Sequence, residues 1–417
     1  MEEAVQMLID HTKTICGLDA YILKTHHIFH DVQAGYIFCS EWTPKDTLAQ
    51  EDKDSNPPGT AIIEINFHTK VLKSIVFTDA LSFIEEGSLP SRDRDQLLDW
   101  IEEQTDMTYG RQFKLIHEKP DSLEFQASID NMPVAPSGSI RIKFNDAGQL
   151  ILFSVQGVFP DESEMEWEPF SLTPEDTAPI TRGLLTLLDV PVEKELTWVP
   201  FYKINPVFVT NDGANAISAS AVNEHPVYFE KDILLEWSGE ASGSVEKRKI
   251  TLDDSVALSD ALQAAPHYDQ LPISHDMEQT CIEEIRRVMQ LEYPAGSGKW
   301  KITSMYRQHG SIIAIVHHAN NHSAVPAKVK ILLDDTGKAF NVIDNKFLFQ
   351  LIAHFKHADQ PKLTADEAFS KLQEHIITEP VYAFNRETGK YHIHGKIDCP
   401  FAVNALTGEL VKTKDIL

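Results

Sequence analysis

The chain has 417 residues, 42% of them hydrophobic and 24% charged, a balance that suits a globular protein long enough for two or three domains with cores of their own. Its 63 acidic residues against 37 Lys and Arg give a formal net charge of −26, a surface that repels nucleic-acid phosphates and anionic headgroups unless a local basic patch intervenes. The most basic short stretch, EKRK at 246–249, is brief and reads as a solvated turn, so no nucleic-acid partner is expected.

The chain opens with MEEAVQMLIDHTKTICGLDA, which places two glutamates where a signal peptide needs Lys or Arg and spaces its apolar residues as an amphipathic helix does. No run approaches the ~20 consecutive apolar residues of a membrane-spanning helix. The expectation is a soluble cytoplasmic protein without a transmembrane segment; a chain from which a leader had been removed reads the same way. Cys16, Cys39, Cys281 and Cys399 are far apart with no CxxC pair, the pattern of reduced thiols. After the first helix, AYILKTHHIFH and AGYIFCSEW read as strands, and TAIIEINFHTKVLKSIVF as strand, turn and strand. A polar loop at 43–59 interrupts them. Residues 1–88 thus read as an N-terminal partial repeat unit.

A second helix is expected in SRDRDQLLDWIEEQ (91–104), where Leu97, Trp100 and Ile101 share a face. IRIKF then alternates as a half-buried strand does, and Asn145-Asp146-Ala147-Gly148 supplies the turn chemistry that reverses the chain. Thr173-Pro174 is a helix cap followed by proline at the first helical position. Beyond a linker at 238–270 that begins with small and polar residues, the order starts again. DMEQTCIEEIRRVMQ (276–290) is a helix with Cys281, Ile285, Val288 and Met289 on one face. VKILL leads into the turn Asp334-Asp335-Thr336-Gly337. Thr364 and Glu367 stand at capping-box spacing before Ala368, Phe369 and Leu372, and Asn404 to Gly408 forms a final tight turn.

The landmarks keep step over about 190 residues, the size of a duplicated domain. GSIRIKFNDAGQL (138–150) matches AKVKILLDDTGKA (327–339), with Gly148 opposite Gly337. ELTWVPFYKINPVFV (195–209) matches TGKYHIHGKIDCPFAV (388–403) with one extra residue after Asp398, pairing Trp198 with Tyr391 and Lys203 with Lys396. The expected fold class is α+β, built of tandem repeats of a helix plus antiparallel β-hairpin or meander units. The expected domains are the partial unit 1–88, a first helix-plus-sheet repeat domain 89–237, the linker 238–270 and a second helix-plus-sheet repeat domain 271–417.

A cap of LTxxEA type opening an amphipathic helix, followed by strands that end on an NALTGE-like turn, resembles the PepSY domain and, in doubled form, the YcdB/YcdC repeat of Gram-positive bacteria. LTADEAF (363–369) and FAVNALTGEL (401–410) carry the resemblance, with LTPEDTA (172–178) and PVFVTNDGANAI (206–217) as a degenerate second instance. The resemblance implies binding or inhibitory modules of the kind found in propeptides of secreted metallopeptidases, and no catalytic residues. The expectation of a chain without a secretion signal sets it apart from that setting.

Histidine clusters invite a metal reading that strand geometry weakens. Neighbours such as His26 and His27, or His317 and His318 in the cluster with His322, point to opposite faces, and His26 and His30 lie about 13 Å apart on a strand. His392 and His394 share a face, but Val199 and Phe201 replace them in the other copy. In AGSGKW (295–300), Tyr293 stands where a phosphate loop begins with glycine and Trp300 where it needs Ser or Thr. The acidic run 161–168 lacks the ligand spacing of an EF-hand. No cofactor, metal or catalytic residue is therefore expected. The reading is a non-catalytic, regulatory or inhibitory repeat protein that binds a peptide or protein partner at exposed sheet edges. Trp198, Phe201, Tyr202, Tyr391 and Phe401 are the candidate binding surface, because aromatic side chains supply large contact area. The alternatives are a hydrolase with its site between repeats and a structural or assembly protein; the oligomeric state is open.

Overall fold

The computed structural model describes residues 2–45, 56–218, 222, 229–239, 241–248, 255–319, 323–357 and 359–416. Most of the loop expected at 43–59, part of the linker expected at 238–270, Lys249 and His322 lie outside them. No described helix is long and apolar enough to cross a membrane. The chain divides into two compact units, one of Met1–Glu166, Asp253–His267 and Tyr382–His392, the other of Trp167–Leu252, Tyr268–Val381 and Ile393–Leu417. Both mix helices with mostly antiparallel strands.

The first unit begins with helix α1 (Glu2–Cys16) and strands β1 (Tyr21–Asp31), β2 (Gly35–Pro44), β3 (Ala61–Asn66) and β4 (Leu72–Phe77). Helix α2 (Arg94–Thr105) follows, then β5 (Phe113–Lys119), β6 (Ser122–Ile129), β7 (Met132–Ala135), β8 (Ser139–Phe144) and β9 (Leu150–Gln156). The two sets join where β4 pairs with β9, so that Ile75 faces Phe153 across the ladder. Alternation then sorts the side chains. Along one row, Ile63, Ile75, Phe153, Ile142 and Leu123 all enter one buried cluster with Leu8 and Cys16 of α1 and Leu97 and Ile101 of α2. One position along, Glu64, Ser74, Ser154, Arg141 and Glu124 form a polar row on the other face. Both helices cover the same face because a period of two leaves the sheet one apolar side. Trp100 of α2 meets Phe153 edge-on with ring centres 5.0 Å apart.

The second unit holds helix α3 (Pro174–Gly183) and strands β10 (Leu185–Val192), β11 (Thr197–Ile204), β12 (Val207–Thr210), β13 (Ala216–Ser218) and β14 (Phe229–Leu235). Helix α4 (Leu258–Leu262), which falls in the stretch expected as a linker, belongs to the first unit, where Ala261 is buried in the core. The second unit resumes with α5 (His275–Glu292), β15 (Trp300–Gln308), β16 (Ser311–His318), β17 (Lys328–Leu333), β18 (Ala339–Asp344), α6 (Lys346–Ile352) and α7 (Ala365–Leu372). The chain ends with β19 (Ile377–Asn385), β20 (Lys390–Asp398), β21 (Phe401–Asn404) and β22 (Leu410–Lys412), of which Tyr382–His392 counts with the first unit.

Within the second unit, α5 is capped by Ser274, whose side chain accepts from Met277 N–H. It lays Cys281, Ile285, Val288 and Met289 on the sheet β14-β15-β16-β17-β18. The hairpin turn at Asp334 donates Gly337 N–H to Asp334 C=O and Lys338 N–H to the Asp334 carboxylate; the turn at Asn145 makes the same two bonds from Gly148 and Gln149. A second pairing joins remote strands. β11 sets Phe201, Tyr202 and Lys203 opposite Asn404, Val403 and Ala402 of β21. β12 sets Thr210, Val209 and Phe208 opposite His394, Gly395 and Lys396 of β20. Thr173 with Asp176 and Thr364 with Glu367 form capping boxes on α3 and α7.

Candidate functional site

The five aromatic residues singled out in the sequence do not form one surface. Phe201 and Tyr391 are 4% and 2% exposed, core side chains that present nothing to a partner. Their strands point them inward: Phe201 packs with Val190, Val199 and Ala402, and Tyr391, in the first unit, lies 5.2 Å from the Phe384 ring. Tyr202 and Phe401 are half-buried in the cluster formed by Ile204, Leu372 and Val403, where Tyr202 donates its hydroxyl to Leu363 C=O at 3.2 Å. Trp198 is half-buried at the start of β11, its backbone N–H donated to Lys356 C=O at 3.0 Å.

The histidines are spread over separate partners. His30 stacks on His267 with ring centres 4.4 Å apart, His317 Nδ1 is 2.8 Å from Thr303 Oγ1, and His392 Nε2 is 2.8 Å from Thr388 Oγ1. Among the described residues, no group of three His, Cys, Asp or Glu could hold a metal ion. All four cysteines are buried, and burial pushes each thiol up, Cys39 to about 12 and Cys281 to about 11. They are poor nucleophiles in the folded chain.

An exposed apolar surface occurs instead on α6, KFLFQLI, in which only Lys346 and Gln350 are polar. None of its seven residues is buried. Phe347 is 64% exposed, Leu348 45% and Leu351 52%, and Ile343, just before the helix, is 46% exposed. Positions 347, 348 and 351 follow helical spacing, so these three side chains form one stripe. The opposite side of α6 turns Phe349 and Ala353 into a groove of about 450 Å³, shared with Tyr293, Trp300 and Ala327.

Local bonds place this helix. Asn345 donates its side-chain amide to Pro326 C=O at 2.8 Å and accepts from Lys328 N–H at 2.9 Å, which ties the start of α6 to the edge of β17. Lys346 lies 4.2 Å from the centre of the Tyr293 ring and 2.9 Å from Asp344 Oδ2, an acceptor that also takes the Tyr293 hydroxyl at 3.1 Å. Burial pushes the Tyr293 phenol up to about 12, so it remains a donor. The sequence reading passed over α6, because a short apolar run between polar flanks looks like a buried strand. Comparison with known proteins finds no matching family model, no similar curated protein and no similar solved structure.

Proposed function

We propose that this chain is a non-catalytic binding protein that docks a peptide or protein partner on α6. The observation that carries the reading is the stripe of Phe347, Leu348 and Leu351 in a helix with no buried residue. Contiguous apolar surface of that kind costs solubility and is retained where a partner covers it. The groove on the other side of the helix offers apolar walls to an anchoring side chain, the arrangement of a helix-in-groove contact.

The duplication and the family resemblance enter here as part of the same proposal. Residues 170–218 and 363–412 are read as two copies of one unit, each a capped helix and four strands, that exchange strand partners. The register supports this: Lys203 pairs with Ala402 as Lys396 pairs with Phe208, and Tyr202 with Val403 as Gly395 with Val209, which keeps the sequence correspondence of Lys203 with Lys396. The two capping boxes agree with it, as does the PepSY-like motif pair. A cytoplasmic setting and a regulatory or inhibitory role go with this reading.

The test is site-specific photocrosslinking in the native cell, with the crosslinking residue at Leu348. A discrete adduct is expected, and it should disappear when Phe347→Ser and Leu351→Ser are added. A chain that yields no adduct, yet turns over a substrate in an activity that one carboxylate substitution abolishes with the fold intact, is an enzyme and not a binding module.

A further inference from the structure

Where β3 passes β4 the ladder slips: Glu64 is opposite Ser74 and Ile65 opposite Leu72, so Lys73 is the extra residue of a β-bulge. Bulges re-aim side chains. Lys73 lines a recess of about 330 Å³ in the first unit, with apolar walls from Phe29, Ile37 and Val155 and two carboxylates, Asp31 and Glu64.

Each carboxylate is already engaged. Asp31 accepts the backbone N–H of Gln33 at 2.9 Å and of Ala34 at 2.6 Å, and Glu64 accepts the Ser74 hydroxyl at 2.8 Å. No hydrogen bond or ion pair joins Lys73 Nζ to a described residue. Burial pushes the Lys73 amine below its ordinary value, against the pull of the Asp31 charge, which raises the share of free amine at neutral pH.

These surroundings select among ligands. Asp31 and Glu64 repel an anion, whereas a neutral electrophile meets no such penalty and is the class of ligand that a free amine attacks. We propose that Lys73 is a reactive amine that condenses with a small aldehyde or ketone seated in this recess. The nitrogen lone pair forms a C–N bond to the carbonyl carbon while the oxygen takes a proton. The carbinolamine then loses that oxygen as water and the nitrogen its remaining hydrogen, leaving an imine, with no change of oxidation state. Glu64 and Asp31 flank the amine as proton carriers for the two transfers. The proposal is independent of the α6 surface, which lies in the other unit.

The experiment uses the full chain with butanal and cyanoborohydride at pH 7, followed by digestion and mass mapping of alkylated lysines. Lys73 is expected to be alkylated faster than exposed Lys194, since burial in the recess lowers the amine's pKa and raises its free fraction. Glu64→Gln is expected to slow alkylation of Lys73 by butanal while leaving its acylation by a succinimidyl ester unchanged. Alkylation of Lys73 at or below the rate of Lys194 overturns the proposal, and so does a butanal rate that Glu64→Gln leaves untouched. The readout on the unsubstituted chain stands even where the variant fails to fold.

Discussion

Asp269 is a carboxylate 4% exposed that accepts two backbone donors, His309 N–H at 2.8 Å and Gly310 N–H at 3.1 Å, and so holds the turn between β15 and β16. Removing it strands both donors. Asp269→Ala is expected to cost about 1–3 kcal/mol in urea denaturation, the usual penalty for leaving a buried polar group unpaired. Glu284 makes a different kind of contribution. Burial pushes its carboxyl up, but two 2.7 Å hydrogen bonds from Arg287 and one of 3.1 Å from Ala339 N–H outweigh that and hold it below the usual glutamate value. A carboxyl depressed on folding stabilises the chain above its unfolded pKa of about 4.3, and that stabilisation fades as pH falls through the lower folded value. Glu284→Gln should therefore lower the neutral plateau of a plot of Tm against pH, change its acid end least, and so flatten the acid limb. The cysteines give a third expectation. Buried and with their thiols pushed up, all four should resist a thiol-specific reagent in the native chain and react after unfolding.

The hairpin turns and helix caps were the most legible elements in the sequence, because their geometry is set by residues within four positions of one another. Gly148 and Gly337 both adopt a φ of +79°, as the NDAG and DDTG patterns require. They differ in what surrounds them. A Cβ on Gly148 meets open space, whereas one on Gly337 comes within 3.0 Å of Thr280 Cγ2 on α5. Gly148→Ala should cost about 1–2 kcal/mol for the left-handed backbone alone. Gly337→Ala should cost more than Gly148→Ala in the same denaturation series; equal losses would show that α5 yields to the added methyl. The bulge at Lys73 and the short strand β7 left no such trace. Val71, Leu72, Lys73 and Ser74 read from sequence as part of a plain strand, and only the pairing with β3 shows which residue is extra. Helix α6 was illegible for a related reason: with five apolar residues among seven, its run fits a buried strand as well as a helix, and only the fold shows that it is helical and exposed.

Across the whole chain, a net charge of −26 favours solubility, and an apolar stripe on such a background is a local exception. Phe347→Ser with Leu351→Ser should change unfolding free energy by no more than about 0.5 kcal/mol, as expected of exposed positions, while abolishing the adduct expected at Leu348 under the proposed function. A large loss of stability would instead mean that these side chains are covered in solution. Of the candidate surface named from the sequence, Tyr202 and Phe401 pack against one cluster, whereas Phe201 and Tyr391 turn into cores. Aromatic residues on strands read alike from either face, and which face is solvent is decided by the neighbouring strand. The amino-acid order alone set the α+β mixture, the caps, the turns and the alternation of strands, since each follows from sterics and hydrogen bonds within a few residues. The meeting of β4 with β9, the pairing of β11 with β21 and of β12 with β20, the exposure of α6 and the recess around Lys73 came only with the folded chain. Those features depend on which distant surfaces bury one another, and burial is indifferent to separation along the sequence.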